Sequence, residues 1–347
     1  MTKFLFMTDT HARTNNPVSR KDDFSETILK KIGWCINYAN EIGAFILHGG
    51  DWVNRPDTSP AYVSKMCKIL GDASLPIYGI IGNHDIYGYN KETFYRTPLH
   101  IANVCGAFSI IDEETSLKMG NVYISGAHSS GLIDKNGRTA EYYTPRRLVP
   151  KVHDEIRIHV VHGFLTDHDW PDGVPYTKID DVLDTDADIL LTGHEHCGYG
   201  ILYKNDTCFC NPGALGRVSA AVGDVNRNVQ VAVIEVDDDG KFTINMVPLP
   251  DDIARPSDEV LDRDRLEEEK AAAAKIETFA AQIEQIQIDE EAVISIDDTM
   301  EQMHRILDGD TFDGIPITDN MRKLIFDYIG QAEKLEQESR EKLKSND

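Results

Sequence analysis

The sequence has no apolar run that approaches the roughly 20 residues needed to cross a bilayer as a helix. Its first residues, MTKFLFMTDTHAR, contain one lysine and an apolar segment of only Phe4 to Met7. That segment is too short for the apolar region of a secretory signal. We therefore expect a cytoplasmic protein that does not enter the membrane.

The chain also has little positive charge and no paired cysteine motif. It carries 35 Lys and Arg against 59 Asp and Glu, a formal net charge of −24. This balance argues against broad binding of polyanions, which normally requires a basic surface. If nucleic acid is the substrate, metal ions or a partner must supply much of the positive charge. The six cysteines include no CxxC pair, which favours reduced structural thiols.

Up to about residue 250, short β-rich runs such as KFLFMTD, AFILHGGD and IRIHVVHG alternate with amphipathic stretches. Between the first two runs, Phe24, Ile28, Ile32 and Ile36 recur at helical spacing. Strands that alternate with helices indicate an α/β core, and the closely spaced later strands indicate a mixed or antiparallel part. We expect an α/β fold over residues 1–250, with two packed sheets flanked by helices in an αββα sandwich.

Residues 251–347 form a second predicted domain, an acidic helical extension. They contain 27 Asp and Glu against 12 Lys and Arg, and the segment RLEEEKAAAAKIETFAAQIEQIQI has apolar residues near helical period. Two shorter helices are predicted around Met300 to Leu307 and from Thr318 onwards. Two interpretations stay open: a small helical addition to the core, or a surface on which a partner docks.

Five apolar runs of the first domain end in side chains that can bind a metal ion. In α/β sheets, ligands bind beyond the carboxyl ends of the strands, so these side chains are expected to meet in one crevice. Within the DxH and HxH patterns, alternate residues of an extended segment point the same way. The candidates are Asp9 and His11, Asp51, Asn83 and His84, His162, and His194 with His196.

This set of residue types suits a binuclear metal centre. A carboxylate can bridge two cations while imidazoles and an amide oxygen complete the coordination. A pair of cations activates water and neutralises phosphoryl oxygens, which is the two-metal route to hydrolysis of phosphate esters. Any one of these motifs alone is a weak signal, because Asn, Asp and Gly also dominate ordinary turns. The five together, in order, are a strong signal.

The motifs DTH, GD, GNHD, HG and GHEH resemble the five signature motifs of the calcineurin-like metallophosphoesterase superfamily over about residues 1–215. The resemblance implies that His84 contacts the phosphate and protonates the leaving oxygen. Asp85 would orient these groups without contacting the metal or the substrate itself. Asp51 would bridge the two ions. The implied ligands are Asp9, His11, Asp51 and His196 for the first metal, and Asp51, Asn83, His162 and His194 for the second.

Within this superfamily, the stretch from TDTHAR to RPDTSP and the later segment NPGALGRVS are similar to SbcD-type DNA repair exonucleases, including phage recombination nucleases. The resemblance implies DNA as substrate and an SMC-like ATPase partner that docks on the C-terminal helices. We also expect a homodimer, in the cytoplasm of a bacterium or of a phage-infected host. One departure is Asn54, which stands where family nucleases often carry a histidine three positions after the bridging aspartate.

Basic side chains in loops beside the motifs are candidates for contacts with a phosphate backbone, although surface charge for solubility is the simpler explanation of each. Asn54 and His128 are further candidates for substrate contact, because His128 lies in a Gly- and Ser-rich strand end that could reach the cleft. The basic candidates are Arg13, Arg20, Lys21, Arg55, Arg146, Arg147 and Arg217.

The sequence therefore predicts a metal-dependent DNA nuclease that uses two divalent ions. Mn²⁺ is the expected metal, but Mg²⁺, Fe and Zn²⁺ suit the same nitrogen and oxygen ligands. The first alternative is a nucleotide or small-molecule phosphodiesterase of the same superfamily. A second alternative is a scaffold for an ATPase partner with a structural or vestigial metal site. Exonuclease or endonuclease action, polarity and the dimer interface are not predicted.

Overall fold

The structure is a computed structural model that describes residues 1–112, 115–135, 139–145, 151, 153–170, 174–219, 222–262, 264, 311–312 and 315–316. The chain divides into two compact units, Met1–Arg263 and Asp264–Asp347. In the second unit, the described strands are β15 (Thr311–Phe312) and β16 (Ile315–Pro316), which pair antiparallel. The long helices predicted after residue 264 lie outside the described residues, and a domain boundary near residue 250 stays a prediction.

The first unit contains two six-stranded sheets. In the first sheet, four strands run parallel in sequence order, and two strands from later in the chain extend it antiparallel beyond the first of them. From edge to edge its strands are β14 (Phe242–Pro248), β13 (Gln230–Val236), β1 (Thr2–Met7), β2 (Phe45–His48), β3 (Ile77–Gly79) and β4 (Ser109–Ile110).

In the second sheet, four central strands are parallel and both edge strands are antiparallel. A short parallel pair, β8 (Leu165–Thr166) and β9 (Thr177–Lys178), lies outside it. From edge to edge the sheet contains β11 (Gly200–Lys204), β12 (Thr207–Asn211), β10 (Ile189–His194), β7 (Ile156–Gly163), β6 (Val122–Ala127) and β5 (Leu117–Met119).

Helix α1 (Phe24–Ile42) follows the apolar spacing that the sequence predicts. It begins after Asp23, whose carboxylate accepts the Glu26 N–H at 3.1 Å, and ends at Gly43 in the left-handed conformation. The other helices are α2 (Pro60–Leu70), α3 (Pro98–Val104), α4 (Thr139–Tyr142), α5 (Val222–Asn226) and α6 (Ser257–Val260), with 3-10 turns at Asn83–Asp85, Lys91–Arg96 and Ile179–Asp181.

Strand β1 is buried on both faces, which places it at the centre of the layered core. Phe4 and Phe6 pack with residues of both sheets, including Val160, whereas Leu5 and Met7 pack against the side of α1. A third apolar cluster covers the outer face of the second sheet. The predicted α/β fold with two packed sheets is therefore confirmed. Among the described residues, every helix is too short or too polar to cross a bilayer.

Candidate metal centre

The predicted ligands gather where parallel strands of the two sheets end. Asp9, Asp51 and Asn83 follow β1, β2 and β3, which are neighbours in the first sheet. His162 and His194 lie near the ends of β7 and β10, which are neighbours in the second sheet. The two sheets meet through a direct contact, because the backbone N–H of His194 donates to Asp9 Oδ2 at 3.0 Å. One crevice thus receives side chains from five strands.

Two groups of side chains share one member. The ligand atoms within each group all lie within 4.8 Å of one another, and Asp51 belongs to both groups. Asn83 joins the second group, since its Oδ1 lies 3.0 Å from His162 Nε2. We call these seven residues the ligand cluster: Asp9, His11, Asp51 and His196 in one group, and Asp51, Asn83, His162 and His194 in the other.

The distances within the cluster match ligands arranged around small cations. Atoms that each bind one divalent ion at about 2.1 Å are separated by roughly 3–3.6 Å. Asp51 Oδ2 lies 3.6 Å from His11 Nε2 and 3.4 Å from His162 Nε2. On the other side, Asp9 Oδ1 lies 3.6 Å from His196 Nε2. The Asp51 carboxylate therefore stands between an imidazole of each group.

Two atoms of the cluster are buried without a hydrogen-bond partner among the described residues, namely Asp51 Oδ2 and His11 Nδ1. The other oxygen of Asp51 accepts the His84 N–H at 2.8 Å. Leaving a buried carboxylate oxygen without a hydrogen bond costs free energy that a bound cation would recover. Carboxylates, imidazoles and an amide also form a donor set that divalent metals accept. The residues present therefore fit a pair of divalent cations.

The backbone at the ligands is held in an unfavourable conformation. Four of the eight described non-glycine residues with positive φ belong to the cluster: Asp9 (51°), His11 (45°), Asp51 (54°) and His194 (78°). Such a conformation costs on the order of 1–3 kcal/mol at each residue and tends to occur at functional sites. Hydrogen bonds from Asp9 N to Gly50 O and from His11 N to Asp51 O hold these loops together.

Charge within the cluster favours ionised carboxylates. Burial by itself would raise the pKa of Asp9 and of Asp51, but the neighbouring imidazoles lower both below the usual range. Burial alone would lower the pKa of His162, yet the Asp51 carboxylate raises it to about 10. Burial lowers the pKa of His11 to about 3 and that of His194 to about 4. Without a metal ion, the extra proton on His162 thus neutralises part of the negative charge of Asp51, a role that a bound cation would take over.

His84 lies beside the cluster with one ring nitrogen already engaged. Its Nδ1 is 2.8 Å from the carbonyl oxygen of Asn54. A carbonyl only accepts, so Nδ1 carries the proton and Nε2 is left for another partner. The ring meets His11 edge to face, with centroids 4.8 Å apart. This places His84 next to the first group without making it one of the grouped ligands.

Asp85 contacts the backbone of two loops rather than the His84 ring. Its carboxylate oxygens accept the N–H of Val53 at 3.1 Å and of Gly82 at 2.8 Å. Burial, together with the Asp51 charge, raises the pKa of Asp85 to about 8. Asp85 therefore ties the loop after β2 to the loop after β3, which sets the relative position of Asp51 and Asn83.

The predicted substrate contacts divide into three cases. Arg13 lies beside the centre, where its guanidinium donates to Asn54 Oδ1 at 3.2 Å. Arg55 is 71% exposed and pairs with Asp57. Arg217 is not brought into the crevice, because its buried guanidinium donates to the carbonyl oxygens of Arg227 and Arg255.

Four other predicted cations lie away from the cluster or outside the described residues. Arg20 is buried and pairs with Asp22 at 2.7 Å. Lys21 donates its backbone N–H to Val260 O. Arg146 and Arg147 lie outside the described residues. His128 lines a cavity beside the metal centre, and its Nδ1 accepts the Ile81 N–H at 3.1 Å.

Three supporting contacts of the centre were not predicted from the sequence. The hydroxyl of Thr8 donates to Asp9 Oδ2 at 2.6 Å, and the carbonyl oxygen of Gly49 lies 2.7 Å from His162 Nδ1. Glu195 accepts the N–H groups of Cys197 and Gly198, which holds the GHEH loop. Proximity in sequence to a ligand was the available signal, since each residue directly precedes or separates predicted motif residues.

Two packed six-stranded sheets carry, at their strand ends, carboxylates and imidazoles of the kind that can hold the metal ions of hydrolases. Residues 2–198 match the family described as calcineurin-like phosphoesterase, and the chain belongs to that family. Its members are generally metal-dependent hydrolases. The expected superfamily is thus confirmed, while the SbcD-type assignment stays a prediction.

Other comparisons add individual similarities. No curated protein matches the chain. Among solved structures, the chain is similar to the protein TT1561 of Thermus thermophilus, with 13% identity and a TM-score of 0.43 over 71% of this chain and 98% of that one. It is also similar to Vps29 of Chaetomium thermophilum, with 10% identity and a TM-score of 0.32 over 72% of this chain and 97% of that one.

Proposed function

We propose that the chain is a metal-dependent DNA nuclease that hydrolyses phosphodiester bonds with two cations, as a subunit of a recombination or repair complex. The observation that carries the proposal is the shared position of Asp51 between two groups of ligands. One carboxylate between two sets of imidazoles is what a binuclear centre for phosphate ester hydrolysis requires. The family membership supports the same reaction class.

Asp9, His11, Asp51 and His196 would hold one cation, and Asp51, Asn83, His162 and His194 the other. A pair of divalent ions there, for which we propose Mn²⁺, would neutralise phosphoryl oxygens and activate the attacking water. The chain itself holds the ligands in place before any ion binds. His162 Nδ1 is anchored at the Gly49 carbonyl, and Asp9 accepts both the Thr8 hydroxyl and the His194 N–H.

His84 supplies the proton for the departing oxygen in this proposal. Its Nδ1–H is engaged with Asn54 O, so the proton for the departing oxygen would come from Nε2 of the doubly protonated ring, which would leave neutral imidazole with Nδ1–H still at Asn54 O. An imidazole held at one ring nitrogen presents the other in a fixed direction, and a positioned histidine is the side chain that most often transfers protons in enzymes. Arg13 donates to the Asn54 side chain and would bring a positive charge close to the same phosphate.

One observation favours the alternative, a nucleotide or small-molecule phosphodiesterase. Several of the cations predicted to contact a DNA backbone already have partners: Arg55 pairs with Asp57, Arg20 pairs with Asp22, and Arg217 donates to backbone carbonyls. With a net charge of −24, the chain would gain little from contacts with a long polyanion. A small substrate needs only the cations at the metal centre.

The DNA nuclease proposal therefore includes partners that supply positive charge and present DNA. We propose that an SMC-like ATPase docks on the predicted C-terminal helices, and that the nuclease acts as a homodimer. The residues that would form the docking surface lie outside the described part of the chain. Their acidic composition would suit a basic face on the ATPase.

The test is degradation of end-labelled duplex and single-stranded DNA by the full chain with Mn²⁺, beside the variants His84→Ala and His153→Ala. His153 is 94% exposed and lies outside the cluster, so its variant is the matched control. Cleavage that His84→Ala alone abolishes supports the nuclease. Hydrolysis of cyclic nucleotides or bis-aryl phosphates without DNA cleavage supports the alternative. Hydrolysis of none of these substrates contradicts both.

A further inference from the structure

Two adjoining cavities extend from the metal centre along the surface. The smaller, about 250 Å³, is bounded by His162 and His194 of the ligand cluster. The larger, about 560 Å³, contains no cluster residue but has the size of a small-ligand site. The two cavities share four wall residues: Tyr89, Ser129, Ser130 and Gly131. A substrate whose phosphate lies at the metals could therefore extend past Tyr89 into the larger cavity.

Tyr89 is held at this junction in an unusual way. Tyr89 is 56% exposed, although burial of an aromatic ring away from water is favourable. Its φ of 56° lies in the left-handed region, where a bulky non-glycine residue is an outlier. Such backbone strain, combined with an exposed aromatic ring in a cavity wall, indicates a ring positioned for a ligand.

The charges around the larger cavity argue against a second phosphate in it. Among the described wall residues, Lys91 is the one cation, and Glu92 and Asp112 bring two carboxylates. Uncharged hydrogen-bonding groups complete the wall. The Nδ1 of His128 accepts the Ile81 N–H, which leaves a donor Nε2–H for the cavity, and Ser130 Oγ lies 3.3 Å from the Tyr142 hydroxyl.

We propose that the larger cavity binds the nucleobase of the nucleotide next to the scissile phosphate, stacked on Tyr89. A nucleobase is flat, uncharged and edged with donors and acceptors, which matches an aromatic wall flanked by His128 and Ser130. This inference rests on the proposed phosphodiesterase chemistry and names the substrate class. It applies equally to a DNA end and to a nucleotide diester.

The test uses two diesters with the same leaving group: the p-nitrophenyl ester of thymidine 5′-monophosphate, and methyl p-nitrophenyl phosphate, which has no base. We expect Tyr89→Ala to lower kcat/KM for the thymidine ester about five- to a hundredfold, the contribution of stacking one base, and chiefly by raising KM. The methyl ester should change by less than about twofold, since it lacks the group that stacks.

Two further variants make the result specific. Tyr89→Phe keeps the aromatic face and should behave like the wild type. Tyr95→Ala is the matched control, because Tyr95 is 65% exposed in the same segment but lines neither cavity. Equal losses for both esters in Tyr89→Ala, or no loss for either, would overturn the nucleobase site.

A binding measurement separates failure of this inference from failure of the proposed function. Saturation-transfer NMR in EDTA would compare thymidine 5′-monophosphate with deoxyribose 5-phosphate on the full chain. If the wild type hydrolyses neither ester, the proposed phosphodiesterase chemistry is contradicted. The NMR measurement then still tests, by itself, whether the larger cavity binds a nucleobase. Preferential saturation of the thymine protons that disappears in Tyr89→Ala supports the site. Equal signals for both proteins overturn it.

Discussion

The Nδ1 atom of His84 lies 2.8 Å from the carbonyl oxygen of Asn54, which commits that nitrogen to donation and leaves Nε2 for the substrate. We expect His84→Ala to lower kcat by about 10²- to 10⁴-fold, the usual contribution of a general acid. Bound metal, measured by mass spectrometry, should be unchanged, since His84 is outside both ligand groups. Loss of metal from the variant would instead make His84 a ligand.

Asp51 differs from every other ligand because it belongs to both groups. Asp51→Asn should therefore reduce the bound metal from about two equivalents to near zero, whereas a change confined to one group, such as His196→Ala, should leave about one. Metal analysis after dialysis checks this, with Asp57→Asn as the exposed control. Retention of one tightly bound ion in Asp51→Asn would show that Asp51 does not bridge.

Metal binding should release protons. In the metal-free chain, burial lowers the pKa of His162, but the Asp51 charge outweighs burial and raises this pKa to about 10. The His162 ring is therefore protonated at neutral pH. A metal ligand must be neutral imidazole, so binding displaces that proton and affinity rises with pH up to about 10. Calorimetric titration with Mn²⁺ in buffers of different ionisation enthalpy measures the release. A pH-independent affinity between pH 6 and 9 would contradict this account.

Removal of metal should lower the stability of the fold. Asp51 Oδ2 accepts no hydrogen bond from the described residues, and two cations that bind there would bind the native chain and not the unfolded chain. An ion present at about 100 times its dissociation constant stabilises by about 2.7 kcal/mol. We expect EDTA to lower Tm and excess Mn²⁺ to restore it, as followed by circular dichroism. The same addition should leave the Tm of Asp51→Asn unchanged.

Two glycines should respond in opposite directions to an added methyl group. A Cβ on Gly82 would lie 2.1 Å from Asp51 Oδ1 and 2.3 Å from Asp51 N, so Gly82→Ala should destabilise by about 1–3 kcal/mol and weaken metal binding. A Cβ on Gly33, inside α1, would meet only Ile69 at 3.7 Å. Gly33→Ala should stabilise by about 0.4–1 kcal/mol.

Urea unfolding of both glycine variants measures these changes. Equal destabilisation by the two substitutions would mean that the crowding at Asp51 does not govern the outcome. Metal content of Gly82→Ala, compared with that of Gly33→Ala, then reports whether the loop after β3 must approach Asp51 closely for the ions to bind.

The α/β class, the helix over Phe24–Ile42 and the placement of the candidate ligands after parallel strands could all be predicted from the sequence. These features follow from local periodicity and from the general placement of ligands at strand ends. The DxH and HxH spacing predicted that Asp9 with His11, and His194 with His196, face one crevice. The left-handed backbone at Asp9, His11 and His194 shows that these segments are not extended there, so the folded loops rather than strand alternation bring the side chains together.

The partners that those side chains meet are visible only in the folded chain. The contacts of His84 with the Asn54 carbonyl, of Asp85 with the Val53 N–H and of Arg217 with the Arg255 carbonyl each join segments at least 30 residues apart, and no local pattern encodes them. The left-handed backbone at Asp9 and Asp51 is likewise imposed by packing, since neither residue prefers it. The wall at Tyr89 and Ser130 exists because two loops about forty residues apart are brought together by sheets whose order differs from the order of the sequence.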